Sequence, residues 1–219
     1  MYDDRTFIAV IPARGGSRRL PGKNKIVLSG KPLIVWTIEA ALKSKYIDTI
    51  CVSTDDESIA EISLRAGAEV PFIRPPVLAT DTTTTIDVVK HCVDYYKEHF
   101  AKIYNFIVLL QPTSPLRDTA DIDSAIEFCI EKNANAIISV CEVEHSPLWC
   151  NMLPEDLSMY NFISDEVKGK RSQDLPKYYR INGAIYVAVP ELIYKENTFF
   201  LSKNVFAYVM TKMRSVDID

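Results

Sequence analysis

The sequence predicts an α/β protein: a three-layer αβα sandwich around a mostly parallel sheet. Three observations carry this. Short apolar runs with no polar alternation, such as FIAVIPA (7–13) and FIVLLQ (106–111), suit parallel strands covered on both faces. Segments with apolar residues at helical spacing alternate with them, as a βαβαβ order requires. Polar loops follow the strands, where open α/β sheets bind ligands.

In order, Phe7–Ala13 is the first strand and 33–44 a helix inward at Ile34, Ile38 and Leu42, with Pro32 suited to its first turn. TICVST (49–54) is the second strand. Thr54 and Glu57 can form a capping box for a helix inward at Ile59, Ile62 and Ala66, and Gly67 supplies its stop. Residues 70–74 make a third extended segment. A helix from Ile86 buries Val89, Val93 and Tyr96, and Phe106–Gln111 is the central strand. Thr119 can cap the helix carrying Ile122, Ile126, Cys129 and Ile130, and 136–140 is another strand. From Glu142 to Tyr179 the pattern lapses across Pro147, Pro154 and Pro176, a length that a loop inside a domain reaches only with a function or a partner. We therefore expect one domain over 1–219 with 142–179 inserted as a dimerisation segment; a mobile surface flap is the alternative. The chain resumes at 181–189, a short helix near Glu191 and a last strand over 205–210.

At 219 residues the chain is long enough for a sizeable core. A formal net charge of -4 argues against general nucleic-acid binding, which rests on wide phosphate neutralisation. No apolar run has membrane-span length, and MYDDRTF is too acidic for a signal peptide, so a cytoplasmic protein is expected. Five scattered cysteines without CxxC spacing predict reduced thiols, mostly in the core.

Against this acidic background, no Asp or Glu lies between Asp4 and Glu39, while Arg14, Arg18, Arg19, Lys23 and Lys25 crowd one loop. Gly15 and Gly16 would let main-chain N–H groups approach an anion, Arg14 offers a planar fork and Lys23 a mobile point charge. That suits one small polyphosphate. The Walker pattern is absent, and a solvated basic loop is the plainer alternative. The terminal SVDID places Asp217 and Asp219 on one face if extended, about 6.6 Å apart. Such a pair can share a hard cation, since Mg2+ takes one or two carboxylates plus substrate phosphates; a solvated acidic tail is the alternative.

Together, IPARGGSRRLPGKN, VSTDDESIAE, IRPPVLATDTTTT, LLQPTSPLR, RINGAIYV, NTFF and SVDID resemble the acylneuraminate cytidylyltransferases, in that family's order and over nearly the whole chain. The resemblance implies a nucleotidyltransferase (Rossmann-like) sheet, CTP and a nine-carbon acidic keto sugar as substrates, Mg2+ as cofactor, and a homodimer joined through 142–179. It implies triphosphate contacts at Arg14, Ser17, Arg18 and Lys23, with Asn24 beside them, and cytosine and ribose contacts at Arg74, Thr83 and Thr85. Gln111, Arg180, Asn182, Tyr186, Phe199 and Phe200 fall to the sugar, and Asp217 and Asp219 to the metal. Lys23, Arg14 and the two aspartates are the expected catalytic set. The SRRLPGK run is shared with the related Kdo enzymes, and Trp149 replaces a basic residue common in sialic-acid enzymes, which keeps legionaminate and pseudaminate relatives open. A non-catalytic nucleotide-sugar binder is the reading from another class.

Overall fold

The computed structural model describes residues 5–17 and 19–218. Its principal sheet contains β1 (Phe7–Pro12), β4 (Thr49–Ser53), β5 (Phe106–Leu109), β6 (Ala136–Glu142), β7 (Tyr179–Ala188) and β8 (Val205–Met210), in the order β4-β1-β5-β7-β6-β8. β1 runs parallel to β4 and β5, and β6 parallel to β8. β7 alone is reversed, lying antiparallel between β5 and β6. A two-residue hairpin, β2 (Val27–Leu28) with β3 (Lys31–Pro32), precedes the first helix.

The inner strands bury both faces because helices cover both, whereas β8 at the edge leaves Val209 exposed. On β1, Phe7, Ala9 and Ile11 enter one core with Ile34 and Ile38 of α1 (Leu33–Leu42), Ile59 of α2 (Glu57–Arg65), and Ile122 and Ile126 of α4 (Thr119–Glu131). Ile8 and Val10 enter the other, against Ile86, Val89, Val93 and Tyr96 of α3 (Thr85–Phe100) and Ile193 of α5 (Pro190–Glu196). This is the period of two expected of a strand, with both sides apolar.

Several local expectations change. Leu42, expected inward, is 47% exposed. The segment at 70–74 forms no strand; one isolated bridge pairs Glu69 with Cys51. Helix α2 is capped by Asp56, which accepts from the N–H groups of Ser58 and Ile59, while Thr54 instead accepts from the Asp56 N–H. Helix α4 is capped by Asp118 in a capping box with Asp121, and the Thr119 hydroxyl donates to the Ala40 carbonyl. In both cases the aspartate one residue before the helix takes the place of the threonine. Gly67 does close α2, at φ 97°. Cys51, Cys92, Cys129 and Cys141 are buried and Cys150 is exposed. Among the described residues no helix is long and apolar enough to cross a membrane.

The excursion leaves the sheet at a neck, where the Val143 N–H donates to the Tyr178 carbonyl. Beyond it lie only short 3-10 turns, at Pro147–Trp149 and Ser172–Asp174.

Candidate active site

The basic loop leaves β1 and folds back on the β4–α2 turn. Gly15 donates its N–H to Asp55 Oδ1 at 2.9 Å, and a Cβ at Gly15 would stand 2.9 Å from Asp56 Cβ. The glycine is thus required for close approach to that turn, and its N–H, expected to face an anion, is held by a carboxylate. Lys25 Nζ reaches Asp56 Oδ2 at 2.8 Å, and the Asn24 amide donates to the Arg14 carbonyl at 3.1 Å. Lys25 and Asn24 fix the loop's shape. Gly16 has open space beside it.

Arg14, Ser17, Arg19, Lys23 and Asn24 face a cleft of about 560 Å³, so Asn24 both braces the loop and lines the cleft as expected. The second wall comes from Arg74 and the threonine run, with Thr83 and Thr85 both on the lining, and the third from Gln111, Pro112 and Thr113 after β5. Three polar loops distant in sequence therefore meet beyond the strand ends, as expected. Arg18 lies outside the described residues.

Each wall is locally fixed. Arg74 is buried and donates from Nε to Ser53 Oγ and from Nη2 to the Ser53 carbonyl. Thr83 donates to the Val77 carbonyl at 3.2 Å, and Thr84 caps α3 in a capping box with Asp87. Arg14 crosses between walls, donating from Nη1 to Asp81 Oδ1 at 2.9 Å and toward the Thr80 carbonyl at 3.4 Å. Gln111 rests its Oε1 against Gly183 of β7, where a Cβ would come within 3.0 Å, and Gly183 has φ 72°. Below it Arg117, 2% exposed, donates from Nη1 to the carbonyls of Gln111 and Ala184.

The field is positive where a polyphosphate would lie. Lys23, 9% exposed, has its ammonium pKa lowered, first by burial and then by Arg19 and Arg14, with Asp217 acting the other way. Burial likewise lowers the Arg74 pKa, and takes Arg117 down to about 10.

Asp217 is exposed beside the cleft, close enough to act electrostatically on both Lys23 and Tyr186. The tail carrying it is not the expected strand: a 3-10 turn over Met213–Ser215 precedes an irregular 216–218, so two-residue alternation cannot place the aspartate pair. Asp219 lies outside the described residues. The tail is held instead by hydrogen bonds, the Ile218 N–H donating to the Thr113 carbonyl at 2.9 Å on the cleft wall.

The residues assigned to the sugar are dispersed. Only Gln111 of that set lines the cleft. Arg180 is exposed and donates to the Ser215 carbonyl. Asn182 is 2% exposed, its amide engaged by Ser139, Ala184, Ser215 and Met210. Phe199 is buried against Tyr186, ring centroids 5.3 Å apart, whereas Phe200 is 55% exposed. Sequence reasoning missed Asp81, Arg117 and Arg214 as participants, since each acts through a partner far along the chain.

The sequence model of the cytidylyltransferase family matches residues 8–209. A CMP-N,N'-diacetyllegionaminic acid synthase of Legionella pneumophila is 37% identical over 97% of this chain and 90% of its own length. An N-acylneuraminate cytidylyltransferase of Streptococcus agalactiae is 39% identical, also over 97% of this chain, which spans only 50% of that longer protein. A pseudaminic acid cytidylyltransferase of Campylobacter jejuni is 34% identical over 97% of this chain. The fold matches that of a CMP:2-keto-3-deoxy-manno-octonic acid synthetase at TM-score 0.67, with 17% identity over 94% of this chain and 90% of that one. On these matches the chain belongs to the cytidylyltransferase family, among the acylneuraminate cytidylyltransferases and related CMP-sugar synthases.

Proposed function

We propose that this protein joins CTP to a nine-carbon acidic keto sugar, releasing pyrophosphate. The observation that carries this reading is the buried Lys23 ammonium in a cleft with Arg14 and Arg19, facing Arg74 and the threonine wall. A cation desolvated at its own cost, in a protein of net charge -4, is ready to meet concentrated negative charge.

The anomeric hydroxyl oxygen of the sugar attacks the α-phosphorus in line, its proton passing to solvent; the bond to the α–β bridging oxygen breaks and pyrophosphate leaves. Lys23, Arg14 and Arg19 offset the charge gathering on the leaving group. Arg74 and the hydroxyls of Thr83 and Thr85 hold the nucleoside end, while Gln111 orients the sugar toward phosphorus. Arg180 offers guanidinium N–H groups to the sugar carboxylate, and the exposed Phe200 offers an apolar face to its acyl substituents, with Phe199 buried behind Tyr186. Positioning supplies most of the rate.

Mg2+ fits the tail by donor chemistry. Among the described residues no three His, Cys, Asp or Glu side chains gather as ligands, so an ion at Asp217, with Asp219 as its expected second carboxylate, would complete its shell from phosphate and water. When bound it supplies charge neutralisation at the reacting phosphate.

A second copy of the chain completes the assembly. Met152, Leu153, Leu157, Met159 and Tyr160 of the excursion are 55–89% exposed, an apolar display suited to burial between subunits. A cytoplasmic location accompanies this reading.

The test is pyrophosphate release from CTP with N-acetylneuraminate, diacetylated legionaminate, pseudaminate and Kdo, with and without a chelator. Metal-dependent release with a nine-carbon sugar is expected. Release with Kdo alone would move the substrate class, and silence across the panel would favour a non-catalytic binder.

A further inference from the structure

The tail that bears Asp217 is built into the molecule through three side chains that do not face the cleft. Ser215 is fully buried; its hydroxyl donates to the Thr211 carbonyl at 2.7 Å and accepts from the Asn182 amide at 2.9 Å. Asn182 is anchored in turn, its carbonyl oxygen accepting from the Ser139 hydroxyl at 2.6 Å and the Ala184 N–H at 3.2 Å. With its amide committed on both sides, Asn182 has no capacity left for a sugar without giving up a buried bond. Arg214 forks onto the start of α4, with Nη1 3.1 Å from Asp121 Oδ1 and Nη2 3.1 Å from Asp118 Oδ2. Asp118 directly follows Arg117, which holds the Gln111 carbonyl, so the tail and the Gln111 loop share one foundation. Three residues beyond Ser215, the Ile218 N–H closes onto Thr113.

We propose that Asn182, Ser215 and Arg214 form a dock that sets where Asp217 stands relative to Lys23 and Gln111, which makes Asn182 a positioning residue acting through the tail and not a sugar contact. The proposal rests on the cytidylyltransferase reading of the cleft. The three act on Asp217 through the backbone of the tail, and loss of groups that orient a metal ligand from outside typically lowers metal affinity about 10–100-fold.

The experiment compares the wild-type protein with Ser215→Ala, Arg214→Gln, Arg214→Lys and Asn182→Ala by amide hydrogen exchange of the 211–218 segment and by steady-state kinetics. Ser215→Ala, Arg214→Gln and Asn182→Ala should lose protection in the tail and raise the Mg2+ concentration for half-maximal rate by about 10-fold. The KM for sugar should stay near the wild-type value. Arg214→Lys, which retains a cation for Asp118 and Asp121, should recover most of both. Unchanged tail protection in Ser215→Ala and Arg214→Gln would overturn the dock. So would an Asn182→Ala variant whose sugar KM rises while its Mg2+ requirement does not. A wild-type protein that releases no pyrophosphate would overturn the functional reading alone, and the exchange comparison would still decide the dock.

Discussion

Arg14 bonds Asp81 at 2.9 Å, so the leading cation of the basic loop is already paired with a carboxylate from the opposite wall. A triphosphate must compete with Asp81 for that guanidinium. Both side chains are over a third exposed, which limits the pair to about 0.2–1 kcal/mol. Asp81→Asn should therefore tighten CTP binding by no more than about 5-fold, read by titration calorimetry; weaker binding in the variant would show that Asp81 helps to hold the nucleotide.

Lys23→Met should lower kcat/KM for pyrophosphate release by about 100–1000-fold, the range for losing one preorganised donor to developing charge. Because the ammonium is desolvated in the folded protein, the thermal midpoint should hold or rise. A variant with near-normal turnover would remove Lys23 from the chemistry.

The lowered Lys23 pKa also has a pH consequence. Above that pKa, and still below the ordinary 10.5, the residue is neutral in the free protein; a bound triphosphate raises its pKa, so binding takes up a proton. CTP affinity should fall as pH rises through this window. Calorimetry at pH values rising toward 10.5, in buffers of different ionisation enthalpy, should detect net proton uptake that Lys23→Met abolishes.

Two glycines separate loop shape from substrate contact. Gly15→Ala drives a Cβ into Asp56 and should cost about 1–3 kcal/mol by overpacking, with a higher KM for CTP. Gly183→Ala adds positive-φ strain and pushes on Gln111, with about 1–2 kcal/mol lost and the KM for sugar raised more than that for CTP. Chemical denaturation with separate substrate titrations would read both, and the same KM changed by both variants would contradict this division of the cleft.

Much of this was legible in the sequence because period and composition are local properties. The doubly apolar β1, the buried face of α3 and the edge strand β8 follow from residues adjacent in the chain. So does the basic loop, whose charge stands out against an acid-free stretch. What was not legible is relational. Asp56 and Asp118 displace the threonines as helix caps because each stands one residue before its helix and turns a carboxylate back over it. Nothing near residue 15 foretells Asp55 as the partner of the Gly15 N–H. The SVDID tail reads as extended by alternation, yet its path is set by Asn182, Arg214 and Thr113, partners that alternation does not contain.

The neck at Val143 and Tyr178 makes the excursion an exchangeable cassette. Its two ends emerge side by side from paired strands, with Glu142 opposite Tyr179, so the sheet's register is closed before the excursion begins. Loop-closure cost grows slowly, about 0.6 kcal/mol per doubling of length. Segments of quite different length could then be carried at this point with Gln111, Gly183 and Asn182 left in place, so that the surface the excursion presents can diverge while the cleft stays constant.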